Sequence, residues 1–459
     1  MTSTPFQSHS FTESSPCEGK TVRSVLRTTL MALALALLPA QAIAATPPPR
    51  TPSTQTAPAA STPDPKPKKA EQPDSRLAAA GVTATCAKVR SERAERAAKG
   101  EKDIACVRPG PKQKLSAPQA RLLADRTPVP LPDWCYDVSN GDGAWWYTRF
   151  EACAIGSWTV DVIEVPSGEL VGQIYYLQAD LVYTKADLPN WGHQLAISMV
   201  DGWGLISGTT VSGDATCNGA CTLPASDIDF PAQAVTLDTV PYGDALPTTT
   251  VSAAGATGTA KTTMYYQFNN PAWTNSTPLT GSTPPVETRC DNATPGVAAI
   301  GCVFKDYEPV NVVSLSGPYP NYARHIQDAQ ASGLPGAYPN GTPLTRLTDA
   351  ALRQSNGDTA CPQASSGGYP RPTGYSCDEY PFRSTWQGAF TSATPPNPGR
   401  TFDWCQISAL PQGVTGPNGW SACMIPATEN SNAGLLDLRV FYNDNRVIEQ
   451  DPFFVWIVD

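Results

Sequence analysis

Thirteen cysteines constrain what this chain can fold into more than any other feature of its sequence. Cys17 lies in an N-terminal segment that we predict to be removed, which leaves twelve, and an even number in an oxidising compartment indicates disulfides. Zinc binding is the alternative, but Cys217 and Cys221 have no second cysteine or histidine pair at finger-like spacing. The spacing predicts six local disulfides, which are Cys86–Cys106, Cys135–Cys153, Cys217–Cys221, Cys290–Cys302, Cys361–Cys377 and Cys405–Cys423.

Residues 1–44 have the pattern of a secretory signal peptide with a long polar front. The basic stretch Lys20–Arg27 precedes the apolar run Leu30–Leu38, and Ala42–Ala44 supplies small residues for cleavage. The run is too short to span a bilayer, and no later segment reaches the roughly 18 consecutive apolar residues that a membrane helix needs. We therefore expect a secreted protein, extracellular or periplasmic, whose mature form has no transmembrane segment.

The next two segments are polar and differ in composition. Residues 45–74 are rich in Pro, Thr, Ala and Lys, and such a segment cannot bury enough apolar area to offset the entropy of ordering it. We predict a disordered tether there. Residues 75–128 begin with a stretch rich in Ala, Arg, Lys and Glu, which favours a polar helix with little apolar face to dock it. We predict that this range is helical, as a surface segment or a pro-region.

Residues 129–300 change to short runs of alternating, β-branched and aromatic residues. Trp158–Ile163, Gln173–Tyr183 and Thr262–Phe268 are examples, with Gly, Asn, Asp and Pro between the runs. Several short strands separated by turn signals predict an all-β accessory domain, sandwich-like or a barrel. His193 has no second histidine nearby, and we interpret it as a structural or exposed residue.

Five tryptophans of this β-rich range allow two interpretations. They can form a surface that stacks against sugars or bases, which would suit a polysaccharide or a cell-surface ligand. They can also fill the core of a sandwich, and we favour this second interpretation. The five are Trp134, Trp145, Trp146, Trp158 and Trp203.

Residues 301–459 carry three short motifs. The first is Tyr322–Ala329 (Y-A-R-H-I-Q-D-A), the second is Cys377–Phe382 (C-D-E-Y-P-F), and the third is the run Arg446–Phe453, which ends in D-P-F. With these motifs, the region from about 310 to 459 resembles the secreted NucA/NucB-type deoxyribonucleases. The resemblance implies a compact α+β domain of the ββα-metal kind that cleaves DNA endonucleolytically, with Mg or Mn and little sequence preference.

The second motif supplies the strongest candidates for the chemistry. Breaking a phosphodiester needs a polarised phosphoryl group, an activated water and a stabilised leaving oxygen, and one divalent cation on oxygen ligands meets much of that need. Adjacent residues on an extended segment point to opposite sides, so Asp378 and Glu379 are expected to differ in role. Glu379 is predicted to be catalytic and to hold the metal, with Asp378 as a further ligand or an orienting group. A solvated acidic turn is the alternative.

Further catalytic candidates precede that motif. His325 and Asp328 are three residues apart on a predicted helix and share a face, as a catalytic histidine and an orienting carboxylate would. The resemblance favours this interpretation over a plain surface pair. Arg346 is predicted to contact a phosphate with its bidentate fork, and Asp349 to orient or deprotonate water. An ordinary pair on a helix surface is the alternative for these two.

Amide side chains near the C-terminus complete the predicted site. Asn430 is expected to complete the metal shell and Asn432 to contact the substrate backbone, although a plain turn is a competing interpretation of this stretch. Arg400 and Trp404 are expected at the rim. The final run Phe453–Val458 is nearly all apolar and is predicted to be a buried strand.

Three features complicate the resemblance. The general base stays open, because His325 lies on a predicted helix and not on a strand, as in the usual ββα arrangement. Gln354–Asp358 lacks an arginine that we expect beside its asparagine, which would weaken phosphate contacts. The net charge of −9 counts against holding nucleic acid by bulk electrostatics, but a bound cation can offset acidic residues locally. Alternative functions are a non-catalytic exported surface- or carbohydrate-binding protein with a degenerate nuclease domain, and a secreted nuclease toxin.

Overall fold

Two large sheets occupy the β-rich part of the chain, which we define as Lys68–Phe304. The structure is a computed structural model that describes residues 65–70, 86–275, 280–392 and 396–459. The strands of the β-rich part are β1 (Lys68–Lys69), β2 (Asp103–Pro109), β3 (Asp142–Tyr147), β4 (Glu151–Glu164), β5 (Leu170–Tyr183), β6 (Gly192–Gly204), β7 (Thr210–Gly219), β8 (Cys221–Thr222), β9 (Ile228–Asp229), β10 (Gln233–Ala234), β11 (Tyr242–Ala245), β12 (Thr248–Thr249), β13 (Thr257–Asn269), β14 (Thr274–Asn275), β15 (Thr280–Ser282), β16 (Thr288–Asp291) and β17 (Gly301–Phe304).

These strands pack as layers around a shared core. The first sheet has the order β1-β3-β4-β5-β6-β11-β9, with β2 beside β4 and β14 beside β2, and the second has the order β10-β7-β13-β16-β17, with β15 beside β13. Val160 and Leu195 of the first sheet and Met264 and Phe268 of the second belong to one hydrophobic cluster. Several antiparallel sheets confirm the β-rich prediction, and they form no closed barrel among the described residues.

The tryptophans of the β-rich part differ in exposure. Trp145 and Trp158 are buried in the core. Trp134 and Trp146 are half-buried, whereas Trp203 is 46% exposed. The five residues therefore contribute more to packing than to an open aromatic surface.

Helices and one short strand extend the β-rich part towards the N-terminus. The predicted signal peptide lies outside the described residues, as does most of the predicted tether. The described piece of that tether is ordered, because β1 pairs with β3 and the Lys68 ammonium lies 3.0 Å from the Glu308 carboxylate. Within the range predicted to be helical, β2 pairs with β4 along its whole length. The helical segments of the β-rich part are α1 (Cys86–Ser91), α2 (Arg93–Ala98), α3 (Ala117–Arg126), α4 (Asp133–Val138) and a 3-10 turn (Ala225–Asp227).

All six disulfides predicted from cysteine spacing are present in the structure. Each bond closes a short loop, since the two cysteines are separated by 4 to 20 positions along the chain. Such loops lower the entropy of the unfolded chain. Six disulfides are consistent with a protein that matures in an oxidising compartment.

The C-terminal part, Val310–Asp459, combines two small sheets with helices. Its strands are β18 (Val310–Ser314), β19 (Leu344–Thr345), β20 (Tyr375–Tyr380), β21 (Gly399–Arg400), β22 (Trp420–Pro426) and β23 (Pro452–Val458). Its helical segments are α5 (Pro320–Ala331), α6 (Ala350–Ala360), α7 (Ala427–Asn432), a π-helical turn (Ala433–Leu438), α8 (Arg439–Asp444) and two 3-10 turns (Ala364–Ser366 and Asp403–Cys405).

The two small sheets have the orders β18-β23-β19 and β20-β22-β21. The predicted strand at the end of the chain is confirmed as β23, which lies in the centre of its sheet, parallel to β18, but only its Phe453 and Val455 are buried. The helix predicted to carry His325 and Asp328 is present as α5, which starts at Pro320, and Gly333 follows it with a φ of +103°. Ile326 of α5, Ile425 of β22 and Phe453 of β23 meet in one core. Every helix of the described residues is too short or too polar to cross a lipid bilayer.

Candidate active site

The acidic pair Asp378 and Glu379 lies on β20, which is paired with an antiparallel strand, β22. β20 pairs with β22 in a register that sets Asp378 opposite Cys423. The disulfides of Cys377 and Cys423 fasten the two strands to neighbouring segments of the chain. The position of the acidic pair is therefore fixed by covalent bonds as well as by the hydrogen bonds of a short sheet.

Asp378 and Glu379 border a cleft of about 200 Å³ in the C-terminal part. Its walls come from α5, the segment after β19, α6, β20 with the residues after it, and the helical segment 427–444. Four arginines and two carboxylates meet there, so the cleft combines both signs of charge. We call this site the cleft, and it is lined by Tyr322, Arg346, Arg353, Asp378, Glu379, Phe382, Arg383, Ser384, Asn430, Gly434, Leu438, Arg439 and Tyr442.

Glu379 has a strongly perturbed acidity. Burial raises the pKa of Glu379 to about 7, and the adjacent Asp378 carboxylate adds to the shift. The charge of Arg383 and a hydrogen bond from its backbone oppose the shift. A carboxyl group that titrates near neutrality can exchange a proton with water, and in its ionised form it attracts a cation.

Asp378 has a different environment, because a buried histidine holds its carboxylate. The Nδ1 atom of His325 lies 2.6 Å from Asp378 Oδ2, and Nε2 lies 2.9 Å from the Ser421 hydroxyl. The Ser421 hydroxyl also lies 3.3 Å from the carbonyl of Tyr380. A hydroxyl donates one hydrogen, and when Ser421 donates it to Nε2, Nδ1 of a neutral His325 carries the proton that bonds the Asp378 carboxylate.

The order Ser421, His325, Asp378 matches the hydrogen-bond order of a serine nucleophile, its base and an orienting carboxylate. Ser421 and His325 are both fully buried, however, and neither lines the cleft. The chain of hydrogen bonds reaches the cleft only at Asp378. It therefore serves to fix that carboxylate and does not present a nucleophile.

Arg346 forms part of the cleft wall with its guanidinium stacked on an aromatic ring. The guanidinium carbon lies 3.9 Å from the ring centroid of Tyr442, and Nη1 donates to the carbonyls of Leu347 and Ser384 at 2.9 and 3.1 Å. Burial lowers the pKa of Arg346, and the neighbouring Arg353 lowers it further against the opposing effect of Tyr442. Two cations in close proximity favour an anionic ligand between them.

Three buried polar atoms of cleft residues lack a hydrogen-bond partner within the described part of the chain. They are Nε of Arg346, Nε of Arg353 and the hydroxyl oxygen of Tyr322. Burial raises the pKa of Tyr322 well above its ordinary value, so the hydroxyl stays a neutral donor. Buried donors are almost always paired in folded proteins, and a ligand or ordered water with acceptor oxygens would pair these three.

Three arginines of the cleft were not among the predicted site residues. Arg353 stands directly before Gln354–Asp358, the range in which a phosphate contact was expected to be missing, and α6 turns it into the cleft. Arg383 directly follows Phe382, the last residue of the second motif, and this adjacency is a signal that could have identified it. Arg439 follows the π-helical turn, and no local pattern marks it.

Three residues that line the cleft, Asp378, Glu379 and Asn430, carry oxygen donors suited to a hard cation. Asn430 donates through Nδ2 to Ser376 Oγ at 3.0 Å and to the Cys377 carbonyl at 3.1 Å, so its amide oxygen stays available. Together with Glu379 and Asp378 it offers only oxygen ligands, as Mg and Mn prefer. The described residues contain no group of three or more His, Cys, Asp and Glu side chains arranged to hold a metal. Mg usually keeps several waters and needs only one or two carboxylates, so this small set fits it.

The structure places other predicted residues away from the cleft. Asp328 does not orient His325, because its carboxylate accepts a hydrogen bond from Trp404 Nε1 at 2.7 Å. Asp349 is exposed and caps α6 by accepting from the amide of Leu352 at 2.8 Å. Neither Asp328 nor Asp349 lines the cleft.

Two further predicted contacts of the site also lie elsewhere. Asn432 is half-buried and does not line the cleft, in contrast to Asn430. Arg400 is fully buried and donates to carbonyls of Ser332, Gly416 and Asn418, so it supports the loops around β21 and forms no rim.

Searches of protein-family models, of curated proteins and of solved structures found no match for this chain. A function is therefore inferred from the cleft, from its charges, its unpaired donors and the raised pKa of Glu379.

Proposed function

We propose that the chain is an exported, metal-dependent endodeoxyribonuclease that hydrolyses phosphodiester bonds of DNA. The observation that carries the proposal is the content of the cleft, where Glu379, with its pKa near 7, shares a volume of about 200 Å³ with four arginines. Guanidinium groups bind phosphate oxygens in pairs of parallel hydrogen bonds, and a phosphate supplies the acceptors that Arg346 and Arg353 lack.

The order of elements around the cleft supports the same proposal. β20 and β22 are antiparallel neighbours, and the helical segment that starts at Ala427 follows β22 directly. Two antiparallel strands and a helix are the arrangement that the resemblance to NucA/NucB-type deoxyribonucleases implies. Glu379 and Asp378 come from the first strand, and Asn430 comes from the helix.

In this proposal the divalent cation is held by Glu379, with Asp378 and the amide oxygen of Asn430 as further ligands. A cation bound there would polarise a phosphoryl oxygen and stabilise charge on the leaving oxygen. Such a cation also offsets the repulsion between the two adjacent carboxylates, which is one reason for the raised pKa of Glu379.

The side chains of the protein then have separate tasks. Arg346 and Arg353 bind the non-bridging oxygens of the phosphate, and the Tyr322 hydroxyl donates to an oxygen of the same group. His325 keeps the Asp378 carboxylate in one orientation. Water attacks the phosphorus, the bond from phosphorus to the sugar oxygen breaks, the attacking water gives its proton to solvent, and the released sugar oxygen takes up a proton from solvent.

Incubation of the purified mature protein with supercoiled plasmid tests the proposal. With Mg or Mn we expect nicked and then linear DNA, and with EDTA no change. Glu379→Gln should lower the rate by roughly 100-fold or more, the usual scale for loss of a key catalytic group. Glu308→Gln is the matched control, because Glu308 is a surface carboxylate outside the cleft. Failure to cleave with any divalent metal would favour a non-catalytic binding protein, and full activity of Glu379→Gln would remove Glu379 from the mechanism.

A further inference from the structure

We infer that the β-rich part positions the cleft, by holding the turn Arg446–Asp451 with buried arginine–aspartate contacts. Arg149, Arg289 and Asp291 are the positioning residues in this inference. It rests on the proposed function, because Arg346, which packs against the turn, is one of the proposed phosphate-binding residues. The third sequence motif includes this turn, and none of its side chains lines the cleft. We therefore assign it a structural role.

The turn contains backbone conformations that need support. Arg446 has a φ of +47° and Gln450 a φ of +67°. Residues other than glycine adopt this left-handed region rarely, at an energetic disadvantage that persists only where the surroundings hold the chain in place. The β-rich part contacts the two ends of the turn, Arg446 and Asp451.

Asp291 of β16 holds the first end of the turn. Nε of Arg446 donates to Asp291 Oδ2 at 3.0 Å, and Nη2 donates to Oδ1 at 2.7 Å and to the backbone carbonyl at 2.6 Å. Nη1 donates to the carbonyls of Ala186 and Ala299 at 2.6 and 3.1 Å. Both charged side chains are fully buried. Burial alone would raise the pKa of Asp291, but the hydrogen bond from Arg446 and the charge of Arg289 lower it overall.

Arg289 and Arg149 hold both ends of the turn together. Nη1 of Arg289 donates to both carboxylate oxygens of Asp451, at 2.6 and 2.7 Å, and Nη2 donates to the Arg446 carbonyl at 2.6 Å. Nη2 of Arg149 lies 3.1 Å from Asp451 Oδ2 and 3.1 Å from the same carbonyl. A guanidinium fork bonds two acceptors in fixed directions, so these residues define the distance between Arg446 and Asp451.

The inner side of the turn forms the support for Arg346. The amide of Arg346 donates to the Asp451 carbonyl at 2.9 Å, and the amide of Gln450 donates to the Arg346 carbonyl at 3.0 Å. The Glu449 carboxylate accepts hydrogen bonds from the Thr348 amide at 2.6 Å. A displacement of the turn therefore displaces the backbone that carries Arg346, and errors of about 1 Å at a reacting group can change rates by up to about 100-fold.

Asp291→Asn in the full chain tests the inference, because it removes the charge at almost constant size. We expect the variant to fold, with KM for a DNA oligonucleotide raised about tenfold and kcat changed much less, since Arg346 binds substrate. Glu287→Gln is the matched control, because Glu287 is an exposed carboxylate 3.3 Å from Lys305 on the surface of the same part. Kinetics are measured below the unfolding transition of each variant.

Amide hydrogen exchange supplies a readout that does not depend on activity. In metal-free Asp291→Asn the amides of Arg346 and Gln450 should exchange at least about tenfold faster, while the Val455 amide, bonded to the Gly336 carbonyl, keeps its protection. If Asp291→Asn does not fold, Arg289→Lys is measured in its place, since it keeps the charge and loses the fork.

Unchanged exchange at both amides would overturn the inference, as would faster exchange with unchanged KM in a folded variant. A wild-type protein that cleaves no DNA would refute the proposed function, and the exchange data would still decide whether the β-rich part holds the turn.

Discussion

Two histidine–aspartate pairs are buried in the described part of the chain, one in the β-rich part and one in the C-terminal part, and their surroundings differ. His325 and His193 are both fully buried. His325 has a partner at each ring nitrogen, with Asp378 at 2.6 Å. His193 Nε2 lies 3.5 Å from Asp180 Oδ1, and neither of its ring nitrogens has a hydrogen-bond partner within the described part of the chain.

The carboxylates of the two pairs differ in what they face. Asp378 borders the cleft, next to Glu379 and the arginines. Asp180 accepts a hydrogen bond from Gln178 at 2.8 Å, and Gln178 in turn accepts one from the Tyr266 hydroxyl at 2.9 Å, inside the core of the β-rich part. A buried histidine–aspartate pair is therefore not sufficient evidence of a functional site. Access to a cleft with complementary charges is what distinguishes the first pair from the second.

The difference between the two pairs predicts that Asp378 is needed for DNA cleavage and that Asp180 is not. Asp378→Asn should lower DNA cleavage by roughly 100-fold, because it removes a negative charge from the cleft and leaves His325 only a neutral acceptor. Asp180→Asn should leave the cleavage rate unchanged. Initial rates on plasmid with Mn, at equal concentrations of folded protein, measure both. Equal losses in the two variants would show that burial of the pair, and not its access to the cleft, determines activity.

Acidic residues with raised pKa values occur in both parts and allow a second test. Burial raises the pKa of Glu379 to about 7 and that of Asp244, near His193, to about 6. The proton retained by the folded chain stabilises it at low pH, and this contribution is lost as pH rises through these values. Glu379→Gln and Asp244→Asn should each raise the free energy of unfolding at pH 8 in EDTA by about 1–3 kcal/mol, and have little effect at pH 4.

Urea unfolding at the two pH values measures these differences. Mn should cancel the stability advantage of Glu379→Gln, because the cation binds and stabilises only the wild-type carboxylate. It should leave the advantage of Asp244→Asn unchanged. If Mn left the stability difference between Glu379→Gln and the wild type unchanged, Glu379 would not be a metal ligand.

The histidines themselves should differ by a smaller factor. His325→Gln keeps a donor for Asp378 with altered geometry, and we expect kcat to fall about tenfold with little change in KM. His193→Gln should leave both constants unchanged. Steady-state kinetics on a DNA oligonucleotide give the two constants, and circular dichroism confirms folding. A loss of activity in His193→Gln alone would reverse the assignment.

Charges at the rim of the cleft should have the smallest effect. Arg439 is exposed, so Arg439→Gln should weaken DNA binding only a few-fold and reduce the slope of log affinity against log salt by about 1. Arg108→Gln is the control, because Arg108 pairs with Asp161 on the β-rich part, 2.8 Å away. Fluorescence anisotropy in EDTA over a salt series measures the slope. An equal change in both variants would indicate binding by overall charge and not by the cleft.

Much of the local structure follows from the sequence, because short-range spacing determines it. The six disulfides, the helix α5 around His325 and the final strand β23 were all predicted from nearby residues. The alternating runs predicted a β-rich fold for the same reason, since a period of two in side-chain direction is a property of each strand alone. The proximity of Asp378 and Glu379 to each other also needs no tertiary structure.

The tertiary structure alone decided which distant groups meet. His325 pairs with Asp378, 53 residues away, and not with Asp328 on its own helix, because the packing of α5 on β20 and β22 sets its ring against that strand. Arg353, Arg383 and Arg439 come from separate elements and converge on one cleft. Such contacts depend on how whole elements pack, and that packing results from many small burial energies spread over the chain, which no local pattern encodes.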